Sequence, residues 1–499
     1  MCGRPSASSR TSGDRELDAR RVALLSLAKW ESGQQKIDII LDRELGCADL
    51  DSRDTALAQN ITYGVLRWKG RLDWILDQYV RGGLRSLPVP IRCALRIGLY
   101  QIDFLDRIPA RAAVNESVNL AKRYGHRGTA GLVNAVLRNV LTSLRPDFPE
   151  IASDPIGHVS AVYSHPPVLV ERWIERYGLD HTIVLCEYDN EIPRLVARSN
   201  GLACNADGLM KSLRGEGRDA RPGRYFKECL EMTGGGDVTG TESFRSGLMQ
   251  IQDESTLAAV KLLAPRPGEE IIDMCAAPGG KTSYIADLMR NRGSIRAFEI
   301  SRSRAEMLTS NIKRLGIGNC EVLCGEATSD VTDPADGILV DAPCTGSGTL
   351  GRRVDARWKF DPRARELPKA DMEELERMHP HNILARQSSR QLRLLLQAAD
   401  LVRDGGRIVY STCSIEPEEN GHVVDLFLEK RPEFAVDDPT GFVPDMFVSG
   451  GYVRVYPHRH GIDGAFAARL VKRDAPPRVA SAEAEEELVA PNTAEKAVG

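Results

Sequence analysis

The sequence predicts a multidomain protein: an all-α domain, a small α+β module and an α/β domain with a doubly wound parallel sheet. Its 499 residues allow two to four domains of about 100–200 residues each. Apolar residues recur at helical spacing in the N-terminal part, whereas apolar strands alternate with helices from about residue 250. We predict the helical domain at 16–146, the module at 164–249 and the sheet domain at 250–472, between disordered ends at 1–15 and 473–499.

Composition excludes several classes of protein. Hydrophobic residues make up 42% and charged residues 27% of the chain, as is ordinary for a soluble globular protein. No run approaches the roughly 20 apolar residues that cross a bilayer, and the Ser- and Arg-rich start lacks the apolar core of a secretory signal. The eleven cysteines show neither the spacing of a zinc site nor that of a disulfide framework. We therefore expect a cytoplasmic protein with reduced thiols, no metal and no membrane association.

The helical domain is predicted to hold about five to seven helices. Leu57, Ile61 and Val65 recur at four-residue spacing, and apolar positions continue this pattern between residues 114 and 141. The whole chain has a net charge of −4, but part of this domain is strongly basic. Residues 61–146 contain fourteen Lys and Arg and only five acids. Solvated helix faces and a polyphosphate-binding surface both explain this excess, and charge alone does not separate them.

The later segments alternate between helices and strands. Residues 147–164 are predicted to be a linker, and the module then combines a helix at 168–177 with short strands separated by glycine. In the sheet domain, predicted helices at 281–290, 304–315 and 385–402 separate the strand candidates. These strands are 270–274, 294–300, 320–323, 337–341 and 407–411, with 451–456 and 465–472 extending the edge of the sheet.

A loop of small residues follows the first strand of this sheet. Residues 271–282, Ile-Ile-Asp-Met-Cys-Ala-Ala-Pro-Gly-Gly-Lys-Thr, predict a strand, a tight loop and the N-terminus of a helix, where backbone N–H groups can meet a ligand. A Walker A phosphate loop is excluded because it needs glycine at the position of Cys275, and the dinucleotide GxGxxG is absent as well. The sequence therefore favours a Rossmann-like site for a nucleoside ligand that needs neither of these two motifs.

Acids follow the ends of successive strands. Glu299 ends the second strand, where an acid takes ribose hydroxyls, and Glu326 follows the third, where a carboxylate can meet an adenine amine. For any one of these acids taken alone, a solvated loop end is the favoured explanation. Together with Asp273 after the first strand, however, they favour a ligand-binding crevice.

Two cysteines follow two further strands. Cys344 comes after Asp341-Ala-Pro, and Cys413 lies within Ser-Thr-Cys-Ser. An apolar setting would indicate inert core cysteines, but small and polar residues surround both, and the two loops of a parallel sheet face one crevice. A thiolate added to C6 of cytosine makes C5 nucleophilic enough to attack a methyl sulfonium, so two thiols could divide attack and release while Asp341 meets N3.

These motifs resemble the RNA 5-methylcytosine methyltransferases. The N-terminal domain resembles the NusB-like domain that is typical of the bacterial 16S ribosomal RNA cytosine-5 methyltransferases of the B type, and residues 193–200 resemble that family's small RNA-recognition-like module. The likeness covers about residues 16–472. The segments that carry it are 106–116, 130–138, 273–282, 341–344, 411–420 and 463–466.

The resemblance implies a seven-stranded Rossmann-like sheet and specific residue roles. Cys413 would attack C6, Cys344 would assist release, and Asp341 and Lys281 would join them in the catalytic set. The partner would be 16S ribosomal RNA, free or in an assembly intermediate, and the protein would act as a monomer. S-adenosylmethionine would be surrounded by Cys275, Ala276, Ala277, Pro278, Gly279, Gly280, Lys281, Glu299, Glu326 and Asp341, so that Asp341 has two assignments.

The chain departs from the family pattern at several positions. Glu299 and Glu326 stand where the family commonly has Asp, and Val354 stands where a proline usually falls. The segment 359–385 is longer than usual and contains His379 and His381, which we interpret as surface residues because further metal ligands are missing. This region would border the RNA, so the target base stays open.

Two alternatives to 16S ribosomal RNA methylation remain. The first is methylation of transfer RNA or of another ribosomal RNA site by the same chemistry, which would require the same motifs. A non-catalytic RNA-binding or ribosome-assembly protein is disfavoured by the intact Cys344, Cys413 and Asp341. A DNA cytosine methyltransferase is also disfavoured, because those enzymes place the nucleophile in a Pro-Cys pair and lack the Thr-Cys partner found at Cys413.

Overall fold

A computed structural model of the chain describes residues 18–33, 35–234, 236–328, 332–361 and 380–473. Apart from Arg473, the predicted disordered ends lie outside these ranges, as do His379 and the side chain of His381. None of the helices within these ranges is long and apolar enough to cross a membrane.

The N-terminal domain is a bundle of seven helices in its described part. Asp18 and Asp51 cap two of them, each accepting a hydrogen bond from a backbone N–H three residues later. The apolar stripes meet in one core, which includes Trp30, Ile97 and Leu137. The helices are α1 (Ala19–Glu31), α2 (Ile37–Gly46), α3 (Ser52–Arg67), α4 (Lys69–Asp77), α5 (Val89–Phe104), α6 (Ala110–Tyr124) and α7 (Arg127–Thr142).

The positive charge of this domain is divided between its interior and its surface. Arg92 and Arg96 are buried and pair with Glu31 at 2.7 and 2.6 Å, and Arg96 also pairs with Asp73 at 2.6 Å. These cations therefore stabilise the bundle and are not available to a ligand. The exposed cations of the predicted basic stretch are Arg81, Arg85, Arg107, Arg111, Lys122, Arg123, Arg127, Arg138 and Arg145.

The predicted linker is partly helical. It contains α8 (Pro155–Val162), because Asp154 accepts a hydrogen bond from the Gly157 N–H at 2.8 Å and Val159 is buried. Two further helices, α9 (Pro167–Tyr177) and α10 (Leu179–Asn190), precede the sheet of the module.

The small module is a four-stranded antiparallel sheet in the order β2-β3-β1-β4 with helices α11 (Ala206–Gly215) and α12 (Glu242–Arg245). Buried Arg198 joins it to the next domain, donating hydrogen bonds to Ser283 Oγ at 2.8 Å and to Asp287 Oδ2 at 3.0 Å. The module is thereby fixed to the sheet domain. Its strands are β1 (Leu195–Ser199), β2 (Asp219–Pro222), β3 (Cys229–Thr233) and β4 (Met249–Ile251).

The C-terminal domain contains a mixed sheet of nine strands. Parallel strands run in the order β9-β8-β5-β6-β7, and the last strand, β13, pairs antiparallel with β9. With β10, which pairs with β13, these strands make up the seven that were expected. The hairpin β11-β12 also pairs with β13 and adds two more strands to the sheet. The strands are β5 (Glu270–Asp273), β6 (Ser294–Glu299), β7 (Cys320–Cys324), β8 (Ala335–Asp341), β9 (Val402–Thr412), β10 (Phe434–Asp437), β11 (Val448–Ser449), β12 (Tyr452–Val455) and β13 (Ala465–Lys472).

Helices cover both faces of this sheet. Ile271 and Ile272 are fully buried in the cores on opposite faces, which explains why the strand has two adjacent apolar residues. The predicted doubly wound architecture is therefore confirmed. The helices of this domain are α13 (Leu257–Leu263), α14 (Gly280–Leu288), α15 (Arg302–Arg314), α16 (Pro380–Leu401), α17 (Gly421–Lys430) and α18 (Pro457–His460).

A segment after Cys344 docks the helical domain onto the sheet domain. Val354 is only 1% exposed and belongs to the apolar core of the helical domain. Nearby, Trp358 donates a hydrogen bond from Nε1 to the Leu66 carbonyl at 2.8 Å, and buried Arg357 donates one to Asn190 Oδ1 at 2.9 Å. The valine that departs from the family pattern thus fills an apolar contact between two domains.

Candidate active site

A cavity of about 640 Å³ opens at the carboxyl ends of β5, β6, β8 and β9. The open crevice of a parallel α/β sheet lies on this side of the sheet. Ala276 and Gly280 line an adjoining cavity of about 190 Å³, and Gly279 lines neither of the two. Of the residues predicted for the site, those that line the larger cavity are Cys275, Ala277, Pro278, Lys281, Glu299, Glu326, Asp341, Cys344 and Cys413.

The two predicted cysteines lie side by side. The Cys344 and Cys413 sulfur atoms are 3.1 Å apart, although 69 residues separate them in the chain. They meet because β8 and β9 are parallel neighbours in which Asp341 is opposite Ser411, so that their following loops start at the same level. The Gly348 N–H donates to the Cys413 carbonyl at 3.0 Å and ties one loop to the other.

The surroundings favour a thiolate at Cys413. The hydrogen bond from the Cys344 thiol lowers the pKa of Cys413; burial opposes this shift, and the positive charges of Arg353 and Lys281 support it. The same hydrogen bond, together with burial, raises the pKa of Cys344. These opposite shifts make Cys413 the better nucleophile of the two.

Asp341 and Lys281 form an ion pair beside the thiols. Lys281 Nζ lies 2.7 Å from Asp341 Oδ2, and Ser411 Oγ donates to Asp341 Oδ1 at 2.9 Å. Burial alone would lower the pKa of Lys281, but the charge and hydrogen bond of Asp341 raise it, so the ammonium form is retained. Each carboxylate oxygen keeps a lone pair for a further donor from the cavity.

Glu419 supports the loop that carries Cys344, a role that the sequence did not indicate. It accepts hydrogen bonds from the Thr345 N–H at 2.9 Å and from Gln391 Nε2 at 3.1 Å. Gln391 Nε2 also reaches the Pro343 carbonyl at 3.0 Å. The carboxylate therefore connects this loop with α16.

Glu416 anchors the other thiol loop to α9. Its carboxylate is fully buried and accepts from Trp173 Nε1 at 3.1 Å, Arg172 Nη2 at 2.9 Å and Arg176 Nη2 at 3.1 Å. Hydrogen bonds to a charged acceptor are stronger than neutral ones. The position of the Cys413 loop thus depends on a helix more than 200 residues earlier in the chain.

The three predicted acids have different surroundings. Glu299 is 4% exposed, accepts the Ser301 N–H at 2.9 Å and lies 3.3 Å from Arg304 Nη1. Glu326 has a side chain 46% exposed, at 3.5 Å from Arg393. Asp273 does not line the larger cavity; it is buried, which raises its pKa to about 6, and it accepts Thr282 Oγ1 at 2.8 Å. Asp273 therefore holds the glycine loop in place.

The larger cavity fits a nucleoside with a charged tail. Apolar Ile300, Ala327 and Leu394 line it near Glu299 and Glu326, which suits an adenine ring and its ribose hydroxyls. Cys413 lines the same cavity. S-adenosylmethionine has this shape and chemistry, and the residues present are compatible with it. No group of three or more potential metal ligands occurs in the described ranges.

Several cations at the cavity were not among the predicted site residues. Arg352 and Arg353 follow the Cys344 loop in the sequence, so their position could have been inferred from it. Lys36 belongs to the helical domain, and no local pattern links it to the sheet. The cations in question are Lys36, Arg304, Arg352, Arg353, Arg390 and Arg393.

Comparison with known proteins finds a family match for each of the three domains. Residues 260–471 match the family described as 16S rRNA methyltransferase RsmB/F, residues 17–142 match the NusB family, and residues 165–239 match the ferredoxin-like domain of RsmF/B-like methyltransferases. These matches confirm the predicted NusB-like domain, small module and methyltransferase domain.

Individual relatives span nearly the whole chain. The probable ribosomal RNA small subunit methyltransferase B of Bacillus subtilis is 30% identical over 92% of this chain and 100% of its own length. The protein of the same name from Synechocystis is 31% identical over 91% of this chain and 100% of its own length. A crystal structure, that of PH0851, superposes with a TM-score of 0.73 at 26% identity, covering 92% of this chain and 100% of that one. The chain therefore belongs to the ribosomal RNA small subunit methyltransferase B family.

Proposed function

We propose that this methyltransferase transfers a methyl group from S-adenosylmethionine to C5 of a cytosine in 16S ribosomal RNA, through a covalent bond between Cys413 and C6. The observation that carries the proposal is the pair of thiols 3.1 Å apart at the cavity, with the positive charges of Lys281 and Arg353 close enough to favour a thiolate at Cys413. A second thiol beside a nucleophilic one suits a reaction in which a bond to sulfur must be formed and later broken.

The chain's own residues would perform most steps. The Cys413 thiolate attacks C6 of cytosine, an S–C6 bond forms, and the displaced electron pair makes C5 nucleophilic. S-adenosylmethionine, when bound, supplies the sulfonium methyl group that C5 takes. C5 then gives its proton to water that enters the open cavity, and the C5–H electron pair re-forms the C5=C6 double bond. The S–C6 bond breaks at the same time, which returns its electron pair to the Cys413 sulfur. The S–H of Cys344 stabilises this leaving thiolate by the hydrogen bond that lowers the pKa of Cys413.

Asp341 is assigned to the cytosine and not to the cofactor alone. It lies between Lys281 and Ser411 at the level of the thiols, where a carboxylate can accept a hydrogen bond from a protonated N3 and so favour attack at C6. Lys281 Nζ pairs with this carboxylate at 2.7 Å. Glu299, Glu326 and the loop 275–281 are assigned to S-adenosylmethionine, with the extra methylene of each Glu relative to Asp extending its reach.

The substrate assignment is supported by the relatives, whose names specify the small ribosomal subunit. Transfer RNA or another ribosomal RNA site is the alternative with the same chemistry. Bisulfite sequencing of ribosomal and transfer RNA, from a strain with and without this gene, identifies the cytosine that loses its methyl group. We also propose that the protein acts as a monomer in the cytoplasm.

Single cysteine variants test the division of labour between the thiols. Cys413→Ala is expected to abolish methyl transfer while S-adenosylmethionine still binds. Cys344→Ala is expected to accumulate a protein–RNA adduct that survives denaturing electrophoresis, because attack proceeds and release does not. Cys47→Ala serves as a control, since Cys47 is exposed on the helical domain. Full activity in Cys413→Ala, or adducts formed equally by all three variants, would refute the assignment.

A further inference from the structure

Seven cations line the larger cavity, against three acids. Four of them are engaged within the protein: Lys281 pairs with Asp341, Arg304 with Glu299 and Arg393 with Glu326. The fourth, Arg352, lies 2.5 Å from Asp463 and 2.7 Å from Asp253. All three acids of the cavity are therefore already neutralised.

Three cations remain. Within the described residues, the side chains of Lys36, Arg353 and Arg390 make no hydrogen bond and no ion pair. They come from three separate places: the start of α2 in the helical domain, the segment after Cys344, and α16. Folding thus brings three cations that lack an ion-pair partner among the described residues to one cavity from two domains.

The three cations are not independent of the thiols or of each other. Arg353 lowers the pKa of Cys413, which places its charge within electrostatic reach of the nucleophile. Partial burial and then the charges of Arg353 and Arg304 lower the pKa of Lys36, whereas Asp355 and Asp38 oppose the shift. Like charges held close together repel one another, and an incoming polyanion relieves that repulsion.

We propose that Lys36 and Arg353, with Arg390, form a phosphate site that holds the RNA backbone next to the target cytosine, so that the helical domain takes part in the active site. This inference rests on the proposed function, because it takes RNA as the substrate. It goes beyond that function by naming the contacts and by giving Lys36 a position beside the reacting base. Phosphate contacts of this kind position the strand without reading its sequence.

The test compares Lys36→Ala and Arg353→Ala with wild type in the full-length chain, using transcribed 16S ribosomal RNA. Each lost phosphate contact is expected to reduce the slope of log Kd against log salt by about 0.7 to 0.9, while the Kd for S-adenosylmethionine stays unchanged. Lys36→Arg should restore the slope, because the charge is kept. Lys430→Ala is the control: Lys430 is exposed at the end of α17 and does not line the cavity.

Two outcomes would overturn this inference. If Lys36→Ala keeps the wild-type slope, Lys36 contacts no phosphate. If the variants lose affinity for S-adenosylmethionine and not for RNA, the cations hold the carboxylate of the cofactor. Either result leaves the proposed function intact when wild type still methylates the RNA, whereas a wild-type protein that binds the RNA without methylating it contradicts the proposed function itself.

Discussion

Gly348 lies where the two thiol loops touch, and replacing it by alanine tests whether their packing is needed for catalysis. A Cβ at this position would come within 2.8 Å of Gly464 Cα and 2.9 Å of the Cys413 carbonyl oxygen. Both neighbours are backbone atoms, which cannot rotate away as a side chain can. The backbone at Gly348 does not have a positive φ, so steric overlap is the only cost.

The size of the effect follows from this geometry. Inserting a methyl group into a closely packed site typically costs about 1–3 kcal/mol. For a domain of 150–250 residues, each kcal/mol lowers Tm by about 2–4 °C, so we expect Tm to fall by about 2–12 °C. The catalytic effect should be larger, because a shift of about 1 Å in a reacting group can reduce the rate about 100-fold.

Calorimetry and single-turnover methyl transfer at saturating S-adenosylmethionine measure the two effects separately. Gly318→Ala is the matched control, because a Cβ at Gly318 has no atom within 4 Å and its backbone also lacks a positive φ. We expect Gly348→Ala to lose activity at temperatures where it is still folded. Wild-type Tm and wild-type rate in Gly348→Ala would show that the loops are not packed as described.

Three further predictions concern the thiols and the contacts that hold their loops. The rate of adduct formation should fall as pH falls through the lowered pKa of Cys413, with a midpoint below the value of about 8.5 of a free thiol; in Cys344→Ala the midpoint should move up, and an unmoved midpoint would contradict the role of that hydrogen bond. Glu416→Gln should destabilise the protein by about 1.5–3 kcal/mol in urea unfolding, because two arginines lose a charged acceptor; an unchanged midpoint would mean that the pairing does not hold the Cys413 loop. Trp358→Phe should cost about 1–3 kcal/mol, since the Leu66 carbonyl loses its donor, and unfolding at the wild-type midpoint would exclude this contact from the domain interface.

The sheet and most of the predicted cavity residues could be located from the sequence. Parallel strands place their following loops at one edge, so residues such as Glu299, Asp341 and Cys413 could be grouped without coordinates. Asp273, which ends β5, lines the smaller adjoining cavity instead of the larger one and accepts a hydrogen bond from Thr282 Oγ1. Whether a residue after a strand faces the crevice depends on the path of the loop, and the pattern of residue types does not record that path.

The contacts between domains could not be predicted from the sequence. Lys36 lines the cavity, whereas Trp173 and Gln391 hold the loops of the two thiols through Glu416 and Glu419. The elements that carry these residues show only the ordinary periodicity of helices, and the summed burial of whole helix faces decides where each helix packs. The helix α8, within the segment predicted as a linker, was missed for a related reason. Its proline and aspartate are typical of loops, but they equally cap and begin a helix once Val159 can be buried.

The short segment that joins the helical domain to the active site has a consequence for how this protein can be altered. Arg353 and Val354 are consecutive, and their side chains serve the catalytic cavity and the core of another domain respectively. A chain lacking the helical domain would therefore expose Val354 and Trp358 to water beside its reactive cysteines. The N-terminal domain is thus not an exchangeable targeting module, and swaps with other RNA-binding domains should yield aggregating proteins unless this segment is redesigned with them.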